Sequence, residues 1–251
     1  MDSLEKLKAD YDRDGYVIVR NFLSHDRLAK LTEELDRFVR EVVPTMPGSD
    51  AFYVDRSRPE TLKQLQNMDI DPFFAECMVD PKWNDLAETI IGEASAPKGP
   101  QWFDKPPGTD HPTPPHQDNY YFCLRPANAA TLWLAVDPVD EENGCLRYVT
   151  GSHQKGIRNH NPTKVLGFSQ GIVDFGEDDL AAEVAVTLAP GDLVAHHGDT
   201  IHRADPNRST TRHRRAFAMV FFGESAQLDD KAYADYLAAL DTQHEALGLE
   251  K

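Results

Sequence analysis

The stretch PPHQDNYYF, Pro114–Phe122, decides how this chain is read. It sets an imidazole, His116, and a carboxylate, Asp118, two residues apart. Along a β-strand, side chains i and i+2 point to the same face. A strand over about 117–123, starting at this pair, predicts both groups turned into a protein interior and Gln117 turned away. Two such groups hold a metal poorly, so a third ligand must come from elsewhere. The segment HHGDTIHRAD, His196–Asp205, offers three imidazoles. In a strand over 193–197, Val194 and His196 share one face, and Leu193, Ala195 and His197 share the other. Either histidine then packs in the core or lines a pocket. His202 is preferred as the ligand because it follows the Gly198-Asp199 turn and leads directly toward a cluster of arginines. Two imidazoles and one carboxylate on one face of an octahedron leave three positions open, the arrangement of non-haem Fe(II) oxygenases. A bidentate co-substrate and dioxygen take those positions. An HxD pair by itself also fits a structural histidine, and His/Asp/His also fits a hydrolytic zinc site.

The arginine cluster bears on that choice. A 2-oxoglutarate molecule chelates iron through its keto group and one carboxylate, and its far carboxylate needs a fixed cation. Arginine suits this because its planar fork binds a carboxylate through two hydrogen bonds and keeps its charge when buried. Within Thr211–Arg215, Arg214 shares strand parity with Ala216, Ala218 and Val220, which leave room for a cavity. Arg215 shares parity with Phe217 and Phe221. Packing therefore favours Arg214 as the anchor and keeps Arg215 in reserve. The competing reading is a solvated basic cluster on an acidic protein.

Outward from these motifs, residues from about 92 to 223 read as short strands separated by Gly, Pro, Asn and Asp. Strands are expected at 100–105, 117–123, 130–137, 145–149, 184–188, 193–197 and 214–222. Residues 151–180 show little periodicity, and so long a connection inside a compact domain is often an active-site lid. The part before it, about 1–91, is mostly helical. Leu4, Leu7 and Tyr11 space a helix over 3–14. Ser24 caps a second helix to about Val42. A third is expected over 71–91, and a polar, mixed segment lies at 55–70. A C-terminal helix over about 229–247 carries Tyr233, Tyr236 and Leu237 on one side. Helices followed by antiparallel strands predict one mainly β domain over 1–251, a jelly-roll-like barrel with flanking helices.

The chain of 251 residues carries 26 Lys and Arg against 42 Asp and Glu, a net charge of −16. That balance disfavours nucleic acid, which needs clustered cations, and anionic membranes. The expected partner is a small-molecule substrate, and no obligate protein partner is evident. Three cysteines without CxxC spacing suggest reduced thiols. The charged N-terminus lacks the apolar core of a signal peptide. The resulting expectation is a cytoplasmic protein.

Several segments, in order, carry a family resemblance. They are KPPG (Lys105–Gly108), PHQDNYYF (Pro115–Phe122), TLWLAVD (Thr131–Asp137), ENGCL (Glu142–Leu146), TGSHQKG (Thr150–Gly156), Pro190–Ser209 and RRAFAMVFF (Arg214–Phe222). The opening YVIVRNFLS, Tyr16–Ser24, also matches. On these the chain resembles the phytanoyl-CoA dioxygenase family of Fe(II)/2-oxoglutarate oxygenases. The resemblance implies a double-stranded β-helix of the cupin-like type and oxidative decarboxylation of 2-oxoglutarate coupled to hydroxylation by O2. It implies His116, Asp118 and His202 as iron ligands, Arg214 as the 2-oxoglutarate arginine, and Trp133 and Gln101 beside the co-substrate. Ala204 stands where some members carry a serine. Halogenating relatives lack the carboxylate, so Asp118 favours hydroxylation. Asn119, Tyr120 and Tyr121 are expected to line the substrate pocket. Two rival classes remain, a metal-binding barrel with hydrolase or isomerase chemistry and a non-catalytic binding module.

Overall fold

The computed structural model describes residues 3–165 and 168–247. The N-terminal part holds α1 (Leu4–Asp14), β1 (Tyr16–Val19), α2 (His25–Glu41), β2 (Ala51–Tyr53), β3 (Leu62–Leu65), α3 (Pro72–Met78), α4 (Pro81–Ile91) and β4 (Ser95–Phe103). Then come β5 (Thr113–His116), α5 (Asn119–Phe122), β6 (Ala129–Ala135), β7 (Leu146–Val149), β8 (His160–Val165) and β9 (Phe168–Ile172). The remainder is α6 (Glu177–Ala181), β10 (Glu183–Val186), β11 (Leu193–His197), β12 (His202–Ala204), β13 (Ala216–Gly223) and α7 (Asp230–Leu247).

The strands form a seven-stranded sheet, β1-β11-β6-β13-β4-β3-β2, facing a four-stranded sheet, β10-β7-β12-β5, with β8-β9 as a separate hairpin. Every strand pairing among the described residues is antiparallel. This is the jelly roll of a double-stranded β-helix, with helices packed against the outside of the larger sheet. Strand alternation divides the large sheet cleanly. Leu132, Leu134, Leu193, Phe217, Met219 and Phe221 face the helices and join Leu35, Phe38, Phe74 and Trp83 in one core cluster. Trp133, Ala135, Val194, Ala216 and Ala218 face the smaller sheet, where Leu146, Tyr148 and Ala204 meet them. Each large apolar side chain so buried contributes about 1.5–3 kcal/mol. The residues of β13 that share this cluster with Trp133, Ala216 and Ala218, are small.

Helix ends follow the capping chemistry in the sequence. Ser24 Oγ accepts from Arg27 N at 3.4 Å and Asp80 Oδ1 from Lys82 N at 2.9 Å. Asp80-Pro81 also splits the helix expected over 71–91 into α3 and α4, because proline starts a helix readily and extends one poorly. Gly15 ends α1 with φ of +83°, and a Cβ there would lie 2.5 Å from His153 Nδ1 and from Thr200 Oγ1.

Other expectations need correction. The segment 117–123 is no strand: β5 ends at His116, and Asn119–Phe122 is a single helical turn. The polar segment 55–70 contains β3, an inner strand of the large sheet. The connection at 151–180 is not featureless, since it holds the β8–β9 hairpin and the start of α6. Short strands such as β5 and β12 escaped notice because proline and charged residues mask the alternation of three or four residues.

Candidate metal centre

The smaller sheet supplies two imidazoles by register. His116 at the end of β5 lies directly opposite His202 at the start of β12, and their ring centroids are 4.2 Å apart. Both are buried, at 2% and 5% exposure. His116 Nδ1 lies 2.8 Å from the Pro114 carbonyl, and His202 Nδ1 lies 2.9 Å from the Thr200 carbonyl. A carbonyl only accepts, so each Nδ1 carries the proton and each Nε2 presents a lone pair.

Asp118 arrives by a different route. It opens the α5 turn rather than continuing the strand. The turn, not strand parity, brings its Oδ1 to 3.6 Å from both His116 Nε2 and His202 Nε2. Ligand atoms of the three residues lie within 4.8 Å of one another. Burial alone would raise the Asp118 carboxyl, but the surrounding imidazoles of His202, His116 and His196 outweigh it and hold the group well below the usual range. Burial, reinforced by His116 and His196, holds His202 well below the normal imidazole value. The carboxylate is thus ionised and His202 neutral, the states a metal requires. Two imidazole lone pairs and a carboxylate oxygen converge with no proton between them. The donor set is harder than thiolate and suits a divalent first-row ion.

The two tyrosines and Asn119 divide. Tyr121 sits 6.0 Å from the His116 ring, and its hydroxyl donates to the Gln170 carbonyl at 2.7 Å. Tyr120 stacks on His160 at 4.1 Å. Both rings also meet Tyr236 of α7. Asn119 instead staples its own turn: Oδ1 accepts from Leu124 N and Nδ2 donates to Leu124 O. Gln117 does turn away from the ligands, yet it is buried and fastens the following segment. Its amide donates to the Gly156 and Asp199 carbonyls and accepts from Arg158 N. The β8–β9 hairpin is therefore tied to the residues flanking Asp118.

The row of interior side chains next to the metal ligands is Val220, Thr131, His196 and Tyr16, each opposite the next in register. One two-residue step along the strands, about 7 Å, leads to the row Gln101, Ala218, Trp133 and Val194. Arg214 is 4% exposed and its guanidinium lies 5.3 Å above the Trp133 ring. Its Nε has no hydrogen-bond partner, and among the described residues no carboxylate forms a salt bridge with it. Burial lowers this guanidinium to about 10, so it remains charged at neutral pH. Arg215, by contrast, forms a two-point ion pair with Asp137 through Nε at 2.9 Å and Nη2 at 2.8 Å, and reaches Asp36 as well. Sequence parity placed these two side chains on opposite faces, and the structure does the same.

Sequence reasoning missed Lys105 as part of this end of the site. Lys105 and Arg214 exchange both backbone hydrogen bonds at 3.2 Å, so their side chains leave the same face side by side. Lys105 is 5% exposed, and its ammonium donates only to the His111 carbonyl among the described residues. Burial and the neighbouring Arg214 push it well below the usual lysine value. Two basic side chains so placed and desolvated repel each other whenever both are protonated. The arrangement fits a bound anion. Strand parity extended past Phe103 is the signal that could have found it.

Comparison with known proteins follows the same lines. The family model described as "Phytanoyl-CoA dioxygenase (PhyH)" matches residues 11–216. The mouse protein "Phytanoyl-CoA dioxygenase, peroxisomal" is 27% identical over 88% of this chain and 68% of its own length. A rice protein, "Phytanoyl-CoA dioxygenase 1", is 29% identical over 81% of this chain and 84% of its own. The chain spans about two thirds of the mammalian relatives it matches, 68% of the mouse protein and 65% of the bovine one. Among solved structures, the epimerase SnoN in complex with Fe3+, alpha ketoglutarate and nogalamycin RO has a TM-score of 0.72 at 23% identity, covering 93% of this chain and 88% of that one. EctD from S. alaskensis with 2-oxoglutarate and 5-hydroxyectoine has a TM-score of 0.73 at 18% identity, covering 91% and 78%. These structural likenesses establish the shared fold.

Proposed function

Since this chain belongs to the phytanoyl-CoA dioxygenase family of Fe(II)/2-oxoglutarate-dependent oxygenases, we propose that it oxidises a small or medium-sized metabolite, most simply by hydroxylation, with release of succinate and CO2. His116, Asp118 and His202 hold the ferrous ion. Arg214 takes the far carboxylate of 2-oxoglutarate, with Trp133 and Gln101 along its length. When bound, the iron and the keto acid supply dioxygen activation at the expense of the keto acid's carboxylate. The chain's own part is positional. The carbonyls of Pro114 and Thr200 fix both imidazole tautomers, so the ligands are preset. Arg214 and Lys105 draw a dicarboxylate into register.

The observation that carries this reading is the buried Arg214 cation, which has no salt-bridged carboxylate among the described residues and lies over Trp133, whose row is one strand step from the row beside the ligands. A hydrolytic zinc site has no use for it. A binding module that had lost turnover has no need of a complete donor set. Tyr120, Tyr121 and Tyr236 are proposed to form an aromatic wall of the substrate mouth, while Asn119 supports the turn behind it. A net charge of −16 disfavours a polyanionic ester such as an acyl-CoA and favours a neutral or cationic metabolite. Three free thiols, two of them buried, suit a reducing compartment such as the cytoplasm, and no described helix is long and apolar enough to cross a membrane.

The test is an anaerobic titration of the purified protein with Fe(II) and then 2-oxoglutarate. A visible charge-transfer band that saturates at one equivalent is expected. A protein that binds the metal yet shows no band, with no competition from succinate or another diacid, is not a 2-oxoglutarate enzyme. Metabolite screening by stimulated succinate release then addresses the substrate.

A further inference from the structure

We propose that His196, together with Thr131 and Tyr148, is a positioning device that holds the Asp118 carboxylate so that only Oδ1 is offered to the metal. This rests on the reading of His116, Asp118 and His202 as the ligands.

Asp118 lies on a turn, where nothing in the backbone fixes its side chain. Its Oδ1 faces the two imidazoles, and its Oδ2 crosses to the larger sheet. There it accepts from Thr131 Oγ1 at 2.7 Å and lies 3.0 Å from His196 Nε2. Thr131 and His196 are directly opposite each other on β6 and β11, so one register fixes both donors. An ionised carboxylate only accepts, and His196 Nε2 must therefore carry the proton. That leaves a lone pair on His196 Nδ1, which the Tyr148 hydroxyl meets at 3.0 Å as donor. Tyr148 is itself opposite His202 across β12 and β7. Its ring stacks on Tyr16 at 4.6 Å, which fixes the hydroxyl's direction.

The hydrogen bonds thus run Tyr148 to His196 to Asp118, joining the two sheets across the site. Both nitrogens of His196 are engaged, so it has no lone pair left for a metal although its ring lies 4.4 Å from that of His202. An unrestrained carboxylate can rotate and chelate through both oxygens, which occupies one of the positions a keto acid and dioxygen need. Two donors on Oδ2 oppose that rotation. Hydrogen bonds of this kind to ligating groups typically change metal affinity about 10–100-fold.

The experiment measures Co(II) and Fe(II) affinity of the full chain by anaerobic competition with a chromogenic chelator, alongside melting of the metal-free protein. His196→Phe and Thr131→Val are expected to weaken metal binding at least tenfold. His196→Gln, which keeps an N–H donor, is expected to recover most of that loss with an unchanged Co(II) d–d spectrum. Thr131→Val preserves shape, so a folding defect in His196→Phe leaves the inference open to test. Metal affinity within twofold of the parent in both Phe and Val variants overturns it. So does a changed spectrum in His196→Gln, which makes the imidazole a ligand. Failure of the parent protein to bind either metal instead overturns the ligand assignment beneath it.

Discussion

Replacing Arg214 by methionine is expected to have two effects of opposite sign. The guanidinium is 4% exposed, and among the described residues it pairs with no carboxylate. In the ligand-free protein its desolvation is offset only in part, by its place over Trp133 and by the charges of Asp104 and Asp137. An apolar side chain of similar length removes that cost, so the melting temperature of the metal-free protein is expected to stay level or rise. In the complex the same group would face a carboxylate out of water. Truncating one member of a buried charge pair costs roughly 2–5 kcal/mol, which at about 1.4 kcal/mol per decade is a 30-fold to several-thousand-fold weaker Kd for 2-oxoglutarate. Calorimetric or spectral titration of the metal-loaded variant reads this directly. Arg215→Met is the control. It breaks the ion pair with Asp137, so it lowers thermal stability and leaves the keto-acid Kd within a few fold. An unchanged Kd in Arg214→Met, or a larger loss in Arg215→Met, refutes the assignment of the anchor.

Further outcomes follow from the same geometry. Lys105→Met, which removes the cation beside Arg214, is expected to weaken 2-oxoglutarate about tenfold, the low end for a charged hydrogen bond, without lowering metal affinity. Equal Kd values in the two proteins count against Lys105. Asp118→Ala and His202→Ala are each expected to abolish iron-dependent succinate formation and stoichiometric metal binding, scored by metal analysis after desalting, and full turnover in either removes that residue from the site. Asp199 is raised to about 6 by burial. A raised carboxylate stabilises the fold below its unfolded value near 4, and that stability is lost as pH rises through about 6, by at most about 3 kcal/mol. Asp199→Asn is therefore expected to melt higher than the parent at pH 8, with the gap closing toward pH 5. A constant gap across that range shows that Asp199 does not titrate there.

Much of the site was legible because β-structure writes itself as alternation. His116 and His202 were singled out by spacing and by their place before the arginines, although the two short strands that carry them, β5 and β12, were not expected. The opposite faces of Arg214 and Arg215 followed from the small residues at 216, 218 and 220 against the phenylalanines at 217 and 221. Asp118 was found by the wrong geometry. The expected strand does not exist, and a helical turn delivers the same carboxylate, because Asp118–Phe122 turns back under the Asn119 staple. His196 was left between core and pocket, since parity gives a face and no partner. Lys105 was seen only as part of a motif, since its significance is a neighbour 109 residues away.

The sequence by itself determined the chemistry available: which side chains carry lone pairs, which carry fixed charge, and which faces of their strands they share. These are local properties, set by covalent structure and a two-residue period. Only the tertiary structure decided what those groups meet. The partner of Oδ2 on Asp118, the tautomer of each imidazole, and the place of the Arg214 cation over Trp133 all depend on strands that pair across the barrel. Register between distant segments is fixed by the whole core, and no stretch of sequence contains it.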